Sequence, residues 1–103
     1  MKPVIFADEA EAELAEAIDY ANARRTGGGD RLREAVEQAV RLIQRFPGIG
    51  GAYGRTPYRK FIVQRTWYTL YYQEFGDAIW IAAVAHQKRR PGYWLGRSRG
   101  DAD

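Results

Sequence analysis

His86, Lys88, Arg89, Arg90 and Tyr93 stand within one short stretch, HQKRRPGYW, at residues 86–94. His86 is the chain's one histidine. Imidazole is the side chain whose ordinary pKa lies nearest neutrality, so it suits the moving of protons. Three adjacent cations suit the holding of something anionic, either nucleic acid or an acidic protein patch. Tyr93 offers a hydroxyl, and Trp94 offers a ring. The same residues would also serve as an ordinary solvated rim, with a hydrogen-bonded structural histidine and two rings packed on a core. The chain has no cysteine, which excludes a disulfide framework. One histidine without cysteine argues against a protein-built zinc site, so neither metal nor cofactor is expected.

The stretch must sit on a scaffold, and 103 residues suit one domain, taken as residues 1–103. Val4–Phe6 reads as a short strand. Asp8 is expected to start a helix, with Glu11 in capping-box position and Ala10, Leu14, Ala17, Ile18 and Ala21 on one face. The helix should stop near Arg25, because Gly27, Gly28 and Gly29 favour a loop. This glycine run lacks the Gly-Lys-Ser/Thr ending of a phosphate loop and follows no strand. Asp30 is expected to cap a second helix, with Leu32, Ala35, Val36, Ala39, Val40, Ile43 and Phe46 as its buried stripe. Pro47-Gly48 ends that helix, which makes an αα-hairpin.

Residues 48–57 read as a glycine-rich loop. The period then changes to alternation. Residues 58–63, 66–75 and 78–86 read as strands, the last apolar on both faces and so placed inside the sheet. The expected fold is α+β, in the order β-α-α-β-β-β: an αα-hairpin on a mainly antiparallel four-stranded sheet. Pro91 should redirect the chain, and residues 95–103 should form a flexible tail. The N-terminus lacks the features of a signal peptide, and no apolar run approaches a membrane span, so a soluble cytoplasmic protein is expected.

The net charge is +3, but the charges are sorted along the chain. Residues 1–22 hold Asp8, Glu9, Glu11, Glu13, Glu16 and Asp19 against Lys2. Residues 55–99 hold nine cations (Arg55, Arg59, Lys60, Arg65, Lys88, Arg89, Arg90, Arg97, Arg99) against Glu74 and Asp77. One acidic and one basic surface follow from that sorting.

The strand RKFIV, the aromatic strand YTLYYQ and the ending AVAHQKRRPGYW, in that order, resemble the RelE/ParE toxins of bacterial type II toxin–antitoxin systems. The resemblance runs from FADEAEAELAEAIDYA to Trp94. It implies a growth-inhibiting toxin, held in a hetero-oligomer by a cognate antitoxin. RelE-type members cut mRNA in the ribosome, without metal. ParE-type members inhibit DNA gyrase.

Cutting RNA requires activating a ribose 2′-OH, stabilising a phosphorane and protonating the leaving oxygen. Of the RelE-type positions, Lys60 and Tyr93 match, whereas Ile62, Thr69 and Gln87 stand where a lysine and two arginines are implied. If the chain were a nuclease, Lys60, His86, Arg89 and Tyr93 would be its catalytic set. The basic ending looks more ParE-like, which implies a binding inhibitor. On that reading Arg59, Lys60, Lys88, Arg89, Arg90, Tyr93 and Trp94 form the target-binding surface. Arg59 and Lys60 are expected one strand away from the basic stretch. Trp67, Tyr71 and Trp80 could stack on bases, but core packing and antitoxin contact fit them better.

Overall fold

A computed structural model describes residues 1–99. The elements run β1 (Val4–Phe6), α1 (Asp8–Arg24), α2 (Gly28–Arg45), β2 (Gly51–Ala52), β3 (Arg59–Ile62), β4 (Tyr68–Glu74) and β5 (Ile79–His86). They form a two-helix hairpin on a five-stranded sheet of order β1-β5-β4-β3-β2. β1 pairs with β5 in parallel, and the other pairings are antiparallel. The α+β class is as expected, with one strand more than four. The extra strand is β2, inside the stretch read as a loop. It is two residues long and glycine-rich, too short to show alternation.

Ala7 occupies the N-cap of α1, and Asp8, Glu9 and Glu11 lie in its first turn. No side chain caps this end, so the expected capping box does not form. The three acids still favour the helix start through the dipole. α2 begins at Gly28 rather than after Asp30. Gly27 holds φ +80° at the N-cap, where glycine carries no Cβ penalty. A Cβ on Gly28 would lie 2.5 Å from the Ala21 carbonyl oxygen. The Gly29 N–H donates to Asn22 Oδ1 at 2.8 Å. The glycines therefore let the two helix ends approach closely, and the last two belong to the helix they were expected to break.

Leu32, Val36, Ala39 and Ile43 bury the stripe of α2, as its spacing predicts. Phe46 does not join them and is 53 % exposed. It is the C-cap, at φ −131° and ψ 79°, so the chain has left helical periodicity before its ring is placed.

β5 lies between β1 and β4, and Ile79–Ala85 are all buried. Its pairing with β4 slips by one residue: Tyr71 faces Ala83, but Tyr72 faces Ile81. Ala82 is the extra residue of this bulge. Below it Ile79 and Ile81 share a face with Tyr72, and above it Val84 and His86 share that face with Leu70 and Tyr68. The bulge thus keeps large side chains on the helix side along the whole strand.

The face away from the helices is covered by the chain's own loop and C-terminal segment. Trp94 is 1 % exposed and stacks on Tyr71, with ring centroids 4.5 Å apart. Tyr58 meets Trp94 edge-on at 4.7 Å, and Tyr53 lies 5.5 Å away. Leu95–Arg99, expected to be part of a flexible tail, are tied down. The Leu95 N–H donates to Gly92 O, Arg97 pairs with Glu13, and both guanidinium nitrogens of Arg99 reach Asp77. The rest of the expected tail, residues 100–103, lies outside the described residues.

Candidate functional site

The basic stretch begins where β5 ends. Gln87–Pro91 are exposed, and their turn is closed by the Arg89 N–H donating to His86 O at 2.9 Å. The Gln87 N–H donates to Trp67 O at 2.8 Å, which fixes the exit from the sheet. The Lys88 N–H donates to His86 Nδ1 at 3.1 Å, and the imidazole meets Tyr68 edge-on at 5.1 Å. His86 is therefore placed as a structural residue of the turn. The side chains of Lys88 and Arg90 make no hydrogen bond or ion pair within the described residues. Arg89 differs, because its guanidinium lies 3.9 Å from the centre of the Tyr93 ring.

Tyr93 is held from the other side. Its hydroxyl donates to Glu13 Oε2 at 2.6 Å. Glu13 also takes both guanidinium nitrogens of Arg97, at 3.0 and 2.9 Å, and the Val84 N–H at 3.0 Å. The side chains of Glu13 and Arg97 are only 13 % and 16 % exposed. Burial by itself would raise the Glu13 pKa, but the hydrogen bonds from Arg97, Tyr93 and Val84 outweigh it and hold the carboxyl below its ordinary value. The stability it contributes is complete above the ordinary carboxylate range and is lost as pH falls through that lowered value. Burial and the Glu13 hydrogen bond push the Tyr93 hydroxyl far above its ordinary pKa. A phenol held this way is a poor proton donor near neutrality.

This network also solves a problem of the sheet. β1 leaves β5 at Ile81, where the Ala7 N–H donates to Ile81 O, and the chain turns into α1. The edge of β5 beyond that point has no neighbouring strand. Arg97 donates to Ala82 O at 2.8 Å, and Glu13 accepts from Val84. Two side chains thus satisfy backbone groups that would otherwise be unpaired. Sequence reasoning placed Glu13 with the other acids of the helix. One signal was present: Glu13 lies three residues after Ala10 and four before Ala17, within the buried stripe of α1.

The other residues singled out do not gather at the turn. β4 lies between β3 and β5, so Arg59 and Lys60 are two strands away from it and not one. They also point to opposite faces. Arg59 shares the helix face with Tyr72, and its guanidinium donates to Gly50 O at 2.8 Å. Lys60 shares the other face with Tyr71. Arg59 therefore secures the loop before β2, and neither residue extends the patch. Among the nuclease candidates, the fold unites Arg89 with Tyr93 and leaves Lys60 beyond β4. Trp94 is a core residue beneath the turn, not part of a contact surface. Trp80 is 3 % exposed and packs near Tyr58, and Tyr71 lies under Trp94, so neither offers a face to a partner in this conformation. Trp67 does, at 64 % exposed, and so does Ile62, also 64 % exposed, across the β3–β4 hairpin from it.

Comparison with known proteins decides the family. A model of the ParE toxin of type II toxin–antitoxin systems, parDE, matches residues 4–91. The chain belongs to the ParE toxin family. A search of curated proteins found no match. Among solved structures, this ParE-family chain is similar to one described as the chromosomal ParDE TA system from P. aeruginosa. The TM-score is 0.63 and the identity 16 %, covering 84 % of this chain and 96 % of the other. That likeness shows a shared fold. No helix among the described residues is long and apolar enough to cross a membrane. The family match ends at Pro91, so the packing of Tyr93, Trp94 and Arg97 is known from this ParE chain's own structure.

Replacing Tyr93 by Phe keeps the ring under Arg89 and removes the hydrogen bond to Glu13. We expect a stability loss of about 1.5–3 kcal/mol, the range for a bond to a charged group. Toxicity should persist in the folded variant, weakened by no more than about tenfold. Growth assays and denaturant unfolding of one preparation check both. A nuclease relying on that hydroxyl would instead lose about 10²–10⁴-fold in rate.

Proposed function

We propose that this ParE-family protein stops growth by binding DNA gyrase, with the turn Lys88–Arg90 against an anionic surface of its target. The observation that carries this reading is the exposed basic turn, projecting from a packed base of Tyr93 and Trp94, with Lys88 and Arg90 unpaired within the described residues. Membership of the family supports gyrase as the target. Such an arrangement suits electrostatic docking rather than proton transfer. The histidine and the tyrosine are both held in structural hydrogen bonds, so neither is poised to move a proton. A gyrase inhibitor works in the cytoplasm.

A cognate antitoxin would neutralise the toxin. Ile62 and Trp67, with Lys60 on the same side of the sheet, form an exposed apolar and basic patch that suits an acidic segment with apolar anchors. Expression of the chain alone should arrest bacterial growth, and co-expression of the adjacent encoded protein should restore it. Normal growth at confirmed soluble expression would refute the toxin reading.

A further inference from the structure

We propose that Glu13 is a positioning residue that sets the basic turn for its target. The inference rests on the reading of that turn as the target-binding surface. Residues 87–99 form no strand or helix. Apart from the Gln87 N–H to Trp67 O bond at the strand exit, their backbone bonds are local: Arg89 N–H to His86 O, Tyr93 N–H to Arg90 O, Leu95 N–H to Gly92 O, and Arg97 N–H to Trp94 O. Such bonds fix the shape of the segment but not its place on the domain.

Between the exit bond of Gln87 and the Arg99–Asp77 pair at the far end, two anchors fix its place. One is Trp94, whose burial is apolar and weakly directional. The other is the Glu13 carboxylate, which is directional. Its Oε2 accepts from Tyr93 and Arg97, and its Oε1 accepts from Arg97 and Val84. One side chain of α1 therefore joins the helix, the bulged strand and both ends of the Tyr93–Arg97 turn. Arg89 rests on the ring that Glu13 holds. Moving Tyr93 moves that guanidinium, and a displaced cation loses its match to a fixed anionic surface.

Glu13→Gln tests this, because glutamine keeps an oxygen for the Val84 N–H while removing the charge. Amide exchange at Tyr93, Leu95 and Arg97 should accelerate about tenfold or more, the factor that loss of a charge-assisted hydrogen bond allows. Inhibition of gyrase should weaken by a similar factor, roughly tenfold. Antitoxin affinity should stay within about threefold, because Lys60, Ile62 and Trp67 include none of the residues that Glu13 bonds. A Glu13→Cys/Arg97→Cys protein offers a rescue, since the chain has no other cysteine. It should inhibit poorly when free and recover once a short bis-maleimide joins the two thiols.

A purely structural strut would lower gyrase inhibition and antitoxin affinity together, and cross-linking would restore neither alone. That result, or unchanged exchange and inhibition in folded Glu13→Gln, overturns the proposal. If Glu13→Gln fails to fold, Arg97→Lys replaces it, keeping the charge but losing the bridge between Glu13 and Ala82 O. Failure of the target reading looks different: wild type would leave gyrase untouched, and the exchange data alone would decide whether Glu13 holds the turn.

Discussion

Lys88→Glu/Arg90→Glu is expected to weaken gyrase inhibition by at least about 10²-fold, because like charges facing each other across an interface cost several kcal/mol. Each reversal changes the charge by two, so the formal net charge moves from +3 to −1, that is +3 − 4. Both positions are exposed and free of ion pairs within the described residues, so stability should change by no more than about 0.5 kcal/mol. The pair is a cleaner choice than Arg89, whose guanidinium lies over Tyr93 and whose reversal would place a carboxylate near Glu13. Wild-type inhibition should also weaken as salt is raised, whereas the variant's should depend on salt much less. A variant as potent as wild type in a supercoiling assay would remove this turn from the interface.

Trp94→Ala should cost about 3–5 kcal/mol, the range for emptying a large buried aromatic site. Trp94 is the largest fully buried side chain, and Tyr53, Tyr58 and Tyr71 all pack on its ring. A domain of this size has about 5–15 kcal/mol in total, so the loss should be plain in denaturant unfolding. Trp94→Phe should recover part of it. The truncated protein should also lose inhibition, since the turn would lose its apolar base. A loss below about 1 kcal/mol would mean that the C-terminal segment does not pack on the sheet as described.

The elements with a strong period were legible in the sequence: both helices, the aromatic strand and the buried strand. What escaped has a physical reason in each case. The glycine run signals a break by local propensity, but Gly28 and Gly29 are needed inside a helix because Ala21 and Asn22 come so close. That contact is tertiary and leaves no local trace. The bulge at Ala82 lies in a strand apolar on both faces, so a one-residue slip changes no pattern. Arg59 and Arg89 look alike as surface cations, yet one binds loop carbonyls and the other a ring.

The candidate site was half legible. The exposed cations were readable from charge alone. Their support was not, because Glu13 meets Tyr93 and Arg97 across separations of 80 and 84 residues. An acidic helix offers several equivalent carboxylates until the fold selects one. For Trp94 and Trp80 the residue types allowed burial as well as partner contact, and only the fold decides for burial. Tyr71, on its alternating strand, looks available to a partner until Trp94 is seen to cover it.

The measurement that bears most directly on the central claim is DNA supercoiling by purified gyrase with the purified toxin added. Inhibition by wild type, relieved by the cognate antitoxin and lost in Lys88→Glu/Arg90→Glu, is the predicted result. Undisturbed supercoiling, together with mRNA cleavage when the same preparation meets translating ribosomes, would contradict it.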